Sequence, residues 1–370
     1  MTIAHRSIPT GERAEPPVLP SASFRAADEA VALDWPRLQG YLRSQGHELN
    51  LQSAPRQFAG GLGNLNYLVE IDARHYVLRR PPLGQIPPGA NDMAREHQVL
   101  SKLWTHFPYA PSSLLYCADP SVLGAHFLIM EYRPGLTIGS QLPADMDAPI
   151  VGPKIAATLV QLLAQLHSID AADVGLEQLG KPDGFLERAI EGWARRANLA
   201  TEMRPQPVIT ELAGWLRKNR VPDGAPTLLH CDFKLDNVIL DPRTLEPRAV
   251  LDWDMSTRGD PLFDLATLLS YWTEEGDPPA LHALRQMPTA EQGFPTRQEV
   301  VRAYASVTGR DVSDFRFHRV LALFKLAVVF LQLHARYRAG ATRDERFEEF
   351  EQLGHGILDF AHAIAHGQGF

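Results

Sequence analysis

The sequence predicts an α+β chain of two lobes, a small antiparallel-sheet lobe with one main helix followed by a larger, mainly helical lobe. Three observations carry that prediction. Two alternating runs, at 65–71 and 75–79, flank the short turn 72–74, the pattern of an antiparallel hairpin. One amphipathic helical period follows over 91–104. Beyond Gly135 the period turns helical, with Ile155, Leu159, Leu162, Leu163 and Leu166 on one face, and stays so over 298–305, 318–337 and 343–366.

Taken in order, residues 1–27 are rich in Pro, Ser and Arg without a sustained period and read as a mobile tail. The small lobe is assigned to 28–131 and the large one to 132–370. Asp34 is placed to cap a helix with Pro36 in its first turn. A glycine segment, Gly60–Gly61–Leu62–Gly63–Asn64, leads into the first alternating strand. A loop carrying Pro81, Pro82, Pro87 and Pro88 precedes the helix, and short strands are expected at 114–117 and 125–130. Glu131–Tyr132–Arg133–Pro134–Gly135 then connects the lobes. Within the helical half, 227–229 and 249–251 read as a compact apolar strand pair.

The 370 residues carry a net charge of −8, which argues against general binding to nucleic acid or to anionic membranes. Two cysteines, Cys117 and Cys231, cannot build a disulfide framework, so a reducing, cytoplasmic setting is expected. No signal peptide is visible, and the most apolar stretch, 320–333, is broken by Lys325 and Gln332 and reads as a core helix. Nothing in the sequence sets an oligomeric state.

The chemistry concentrates in His230–Cys231–Asp232–Phe233–Lys234–Leu235–Asp236–Asn237 and in Leu251–Asp252–Trp253–Asp254. Each polar group follows an apolar strand-like run, so it emerges at a strand end where side chains converge. Phosphoryl transfer needs a carboxylate to orient and deprotonate a hydroxyl, oxygen ligands for Mg²⁺, and positive charge on the phosphates. Asp232 fits the first need, and Asn237 with Asp252 the second.

These motifs resemble the protein-kinase-like superfamily, and within it the aminoglycoside phosphotransferase family. His230–Cys231–Asp232 with Asn237 is similar to the catalytic loop H-R-D-x-x-x-x-N, with its base-to-ligand spacing kept, and Asp252 matches the magnesium-binding Asp of D-F-G. The residues after it, with Gly259–Asp260–Pro261–Leu262–Phe263–Asp264, match the phosphotransferase version. The resemblance implies the two-lobed protein-kinase-like fold, with ATP and Mg²⁺ as cofactors. One departure is Cys231, where the family usually carries Gly. Lys234 stands where protein kinases hold a Lys directed at the transferred phosphate. Asp236 reads as structural, Asp254 as structural or as support for the metal shell, Asp260 and Asp264 as ties for the loop or caps of the following helix, and His230 as an organiser of the loop.

On the nucleotide side, Gly61–Leu62–Gly63–Asn64–Leu65–Asn66 does not complete G-x-G-x-x-G, and no P-loop exists. Its position before a hairpin nevertheless makes Gly61, Gly63 and Asn64 a phosphate-covering loop. Arg79 takes the third-strand place where kinases carry Lys, and alternation sends only one of Arg79 and Arg80 into the cleft. Glu96 shares a helix face with Val99, Leu100 and Leu103, so it needs a cation, and Arg79 is the natural one. The resemblance places adenine recognition on main-chain groups around Glu131 and Arg133.

The acceptor is expected to be a hydroxyl of a small molecule. The segments 76–82 and 251–266 look closest to the kinase-like domains fused to acyl-CoA dehydrogenases, which implies a metabolite of hydroxyacyl-CoA type. Two other readings stay open: a nucleotide-binding pseudokinase that serves as an interaction module, since Arg79 replaces Lys, and an aminoglycoside kinase. The latter needs an acidic pocket, but Gly276–Asp277–Pro278–Pro279 beside Glu274 and Glu275 reads first as a solvated loop. Core packing is expected of Trp253, Tyr271 and Trp272 rather than a cationic cage.

Overall fold

The computed structural model describes residues 23–60, 63–83, 91–202, 204–284, 286–341 and 345–370. In the small lobe, helix α1 (Trp35–Ser44) is capped by Asp34, whose carboxylate accepts from Arg37 N at 3.0 Å. Strands β1 (Arg56–Gln57), β2 (Leu65–Ile71), β3 (Arg74–Arg80), β4 (Ser113–Cys117) and β5 (Phe127–Glu131) form one antiparallel sheet in the order β1-β2-β3-β5-β4. The turn between β2 and β3 places Asp72 and Ala73 at positive φ, as a tight hairpin requires. Helix α2 (Met93–Leu103) starts on its Asp92 cap, and buries Glu96 with Val99, Leu100 and Leu103. The short α3 (Pro120–Leu123) joins β4 to β5. Residues 23–27, placed by sequence in the tail, lie on the sheet edge, where Phe24 bridges to Phe58 and Arg25 N donates to Gln57 O at 2.9 Å. Residues 1–22 lie outside the described residues.

The large lobe comprises β6 (Leu136–Thr137), α4 (Ala148–Ser168), α5 (Phe185–Ala200), α6 (Pro207–Lys218), β7 (Thr227–Leu229), β8 (Val238–Leu240), β9 (Pro247–Val250), β10 (Thr257–Gly259), α7 (Pro261–Ser270), α8 (Pro279–Leu284), α9 (Arg297–Thr308), α10 (Phe315–Arg338) and α11 (Phe350–Ala365). The expected strand pair is corrected here: 227–229 and 249–251 do not pair with each other. β7 pairs with β10, and β9 pairs with β8, itself flanked by β6. Each partner is a three- or four-residue run too short to stand out by alternation. The last helix begins at Phe350 rather than near 343.

α10 is the axis of this lobe, buried over most of its length, and α5, α7 and α11 pack beside it. α4 and α10 are long and apolar enough to cross a membrane by length and composition, so 320–333 belongs to a longer run than the sequence suggested. Half or more of each apolar window is nevertheless covered by the rest of the molecule. α10 shows that covering over most of its length, while α4 keeps Lys154, Gln161 and Gln165 on an exposed face.

Candidate active site

The centre of the site is the turn after β7. Cys231 has φ +66°, in the left-handed region that an L side chain enters at a cost of roughly 1–2 kcal/mol. Two buried groups hold it there. Asp264 on α7 accepts from Cys231 N at 2.7 Å and from His230 N at 2.6 Å, while Lys325 on α10 donates Nζ to the Cys231 carbonyl. This geometry explains why glycine suits the position and why cysteine, small and fully covered, survives in it. Cys231→Gly is expected to keep the loop intact and raise stability by about 1 kcal/mol, read as a higher thermal midpoint.

Burial pushes the Asp264 carboxyl up, but hydrogen bonds from His167 and the loop amides outweigh it and hold the group below its ordinary value. A depressed carboxylate stabilises the fold above its unfolded pKa, and that stability is lost as pH falls through the folded one. The Asp264 contribution is therefore expected to be lost only as pH drops below about 4, and Asp264→Asn is expected to be less stable at neutral pH with a flatter limb below that pH in pH-dependent urea melts.

His230 organises the loop, as its position suggested. It is fully buried; Nε2 donates to Leu251 O at 2.8 Å, and Nδ1 accepts from Asp232 N at 3.2 Å. Burial depresses its pKa despite the nearby Asp264 and Asp232, so the ring stays neutral. The bond to Leu251 ties the loop to the β8–β9 hairpin, where Leu251 N donates to Asn237 O at 2.8 Å. These links bring Asp232, Asn237 and Asp252 into one cluster. Asp252 also has positive φ, at +71°.

Both oxygens of Asp232 are engaged. Oδ2 receives Lys234 Nζ at 2.6 Å and Asn237 Nδ2 at 3.4 Å; Oδ1 receives the Tyr271 hydroxyl at 2.8 Å. Burial raises the Asp232 pKa, but Lys234 and Lys325 outweigh it, so the group sits below its ordinary value and is a carboxylate at neutral pH.

From the small lobe, β3 delivers Arg79 and α2 delivers Glu96. Arg79 Nε lies 2.8 Å from Glu96 Oε2, and Nη2 bonds Asp252 Oδ1 and lies 4.0 Å from Asp254 Oδ2. Arg80 turns to the other face and donates to the carbonyls of Pro81 and Leu123, as strand alternation required. The Asn64 amide reaches the same guanidinium, 2.6 Å from Nη2 with its oxygen facing it, and Asn91 Nδ2 bonds Gly63 O at 3.0 Å. Gly61 lies outside the described residues. In the connector, Arg133 is paired with Glu131 at 2.6 Å, and Glu131 N–H is spent on Ser112 O. Of the two expected positions, that leaves the Arg133 main-chain N–H uncommitted among the described hydrogen bonds.

Five carboxylates, Glu96, Asp232, Asp236, Asp252 and Asp254, thus share the site with Arg79, Lys234 and, behind the loop, Lys325. The crowding shows in their acidities. Burial pushes Glu96 to about 7 and, with Asp252 adjacent, Asp254 to about 8. Asp236 is raised to about 6 by burial, and its Oδ1 has no hydrogen-bond partner. An excess of buried negative charge beside hard oxygen donors fits a divalent cation. Among the described residues no cluster of three His, Cys, Asp or Glu side chains forms a complete cage. Asn237 donates its amide nitrogen to Asp232 O at 2.9 Å, which leaves its oxygen for a cation.

Two contributors went unassigned by sequence. Tyr271 and Lys325 both reach the catalytic loop. Their signals were faint: Tyr271 lies seven residues after Asp264, and Lys325 is a lone cation in an apolar run. The loop at 276–279 is solvated as expected, with Gly276 and Pro279 exposed, except that the Asp277 side chain, 7% exposed, turns in to bond the buried Arg297, which also faces Glu274. Trp253 and Trp272 are core residues bonded to Val250 O and Pro295 O, so no cage forms.

Residues 55–300 match the phosphotransferase enzyme family, known as APH. Acyl-CoA dehydrogenase family member 11 of Gallus gallus is 33% identical over 312 residues, covering 80% of this chain and 38% of that protein. The chain therefore spans about two fifths of that relative's length. Among solved structures, a provisional aminoglycoside phosphotransferase of Ralstonia eutropha is 24% identical with a TM-score of 0.72, over 91% of this chain and 99% of that one. A thermostable aminoglycoside phosphotransferase mutant in complex with ADP and hygromycin B is 15% identical with a TM-score of 0.57, over 90% and 99%. The fold is that of these two-lobed kinase-like proteins, and with two thirds of its length matched to the family model, the chain belongs to the phosphotransferase enzyme family.

Proposed function

We propose that the protein is an ATP- and Mg²⁺-dependent O-phosphotransferase acting on a hydroxyl of a small molecule. The observation that carries this is the joining of Asp232, Asn237 and Asp252 to Arg79 across the cleft, inside an excess of buried carboxylate. Asp232 accepts the acceptor hydroxyl's proton as its oxygen bonds the γ-phosphorus and the bond to the leaving ADP oxygen breaks. Arg79, oriented by Glu96, offers N–H groups to phosphate, and Lys234 sits where it can follow the transferred group. When bound on Asn237 and Asp252, Mg²⁺ supplies charge neutralisation on the phosphates.

The reading favours an acceptor of hydroxyacyl-CoA type over an aminoglycoside. Support comes from the kinship with acyl-CoA dehydrogenase family member 11 and from the engagement of two of the acids at 274–277, Glu274 and Asp277, with Arg297. Only Glu275 of that segment faces solvent as a carboxylate not held by Arg297. The pseudokinase reading rests on Arg79 alone, and Arg79 makes the same pairing to Glu96 that a lysine would.

The test is γ-labelled ATP with Mg²⁺ over a panel of hydroxylated metabolites that includes hydroxyacyl-CoA thioesters and aminoglycosides. Label on a CoA thioester supports the reading. Binding of Mg·ATP with no transfer and no hydrolysis, unchanged in Asp232→Asn, would sink the enzyme in favour of the interaction module. A cytoplasmic setting remains part of the proposal and is checked by fractionation.

A further inference from the structure

α7 reaches the catalytic loop at two places on one face. Asp264 takes the loop amides, and Tyr271, the C-cap residue, follows seven positions later, two helical turns along. The Tyr271 hydroxyl donates to Asp232 Oδ1 at 2.8 Å. On the other side, Lys234 and Asn237 draw on Oδ2. Lys234 Nζ also lies 5.2 Å above the Tyr271 ring, so the ammonium, the phenol and the carboxylate form one compact unit. Tyr271 is 9% exposed, and only its hydroxyl needs an oxygen: a phenylalanine would fill the same volume. Burial, reinforced by Asp232, holds the phenol well above its ordinary pKa, so it stays a donor.

We propose that Tyr271 is a positioning residue for phosphoryl transfer, its hydroxyl fixing the rotation of the Asp232 carboxylate so that one lone pair of Oδ1 stays free for the acceptor hydroxyl. The inference rests on the reading of Asp232 as the acceptor's base. Without the phenol, Lys234 is free to draw both carboxylate oxygens to itself, and the base turns away from the acceptor. The α7 helix then does more than hold the loop's backbone: it sets both the position and the orientation of the base from one rigid element.

The experiment combines a spectroscopic and a kinetic arm on Tyr271→Phe, which keeps the ring and removes only the hydroxyl. In protein carrying ¹³Cζ-labelled tyrosine, the resonance absent from Tyr271→Phe is expected to move in Asp232→Asn. With Mg·ATP and water as acceptor, Tyr271→Phe is expected to lower kcat about tenfold or more, the loss of one charge-assisted hydrogen bond, while KM for Mg·ATP holds. In the Asp232→Asn background the same change is expected to add nothing. A resonance indifferent to Asp232→Asn, or an unchanged kcat, overturns the positioning role alone. A wild type that neither hydrolyses Mg·ATP nor phosphorylates any member of the metabolite panel overturns the reading of the site, and the role of Tyr271 with it.

Discussion

Truncation of Arg79 to alanine is expected to be the most damaging single change in the molecule. The guanidinium is 6% exposed and stands among Glu96, Asp252 and Asp254, the first of them fully buried. Removing it leaves a buried carboxylate uncompensated, a class of change that costs about 3–5 kcal/mol. Chemical denaturation should show that loss, and phosphotransfer should vanish with it. Arg79→Lys separates the two roles. A lysine reaches Glu96, so the fold should persist, but it cannot bond Glu96 and Asp252 with one planar fork. Its expected result is near-wild-type stability with a raised KM for Mg·ATP, measured by steady-state kinetics. Equal kinetics for Arg and Lys would show that the bidentate geometry is irrelevant to the reaction.

Replacement of Asp232 by Asn is expected to lower kcat by about 10²–10⁴-fold, the range for a lost general base. Nucleotide binding should survive, because Arg79 and Asp252 pair with each other while the Asp232 carboxylate is bonded to Lys234, Asn237 and Tyr271 instead. The thermal midpoint should fall, though the fold persists: the amide still accepts from Tyr271, while Lys234, 12% exposed, keeps only Asp236 at 3.8 Å as a carboxylate neighbour. A rapid-quench measurement with labelled ATP would separate slow chemistry from weak binding.

Much of this site was legible because phosphoryl transfer demands particular groups at fixed spacing. Asp232, Asn237 and Asp252 sit at strand ends whose apolar runs show in the sequence; strand alternation admitted only one of Arg79 and Arg80 to the cleft, and the third-strand place of the kinase lysine chose Arg79. Glu96 was found by the same reasoning, as a carboxylate on an otherwise apolar helix face. What stayed hidden depends on tertiary pairing. β8 and β10 are three residues each, so the sequence could not show that β7 pairs with β10 rather than with β9. Tyr271 and Lys325 reach the loop from α7 and α10, and a hydroxyl or an amine on an apolar helix has no local pattern that says what it faces. The burial of Asp277 had the same cause: its partner, Arg297, is 20 residues away.

The central claim is that the carboxylate excess around Arg79, Asn237 and Asp252 is the seat of a magnesium–nucleotide complex. Calorimetric titration of ATP with and without Mg²⁺, in wild type and in Asp252→Asn, tests it most directly. The account predicts that ATP binds tightly only with Mg²⁺ and that Asp252→Asn loses most of that dependence. Tight binding without the cation, or an Asp252→Asn variant that binds Mg·ATP as wild type does, would contradict it.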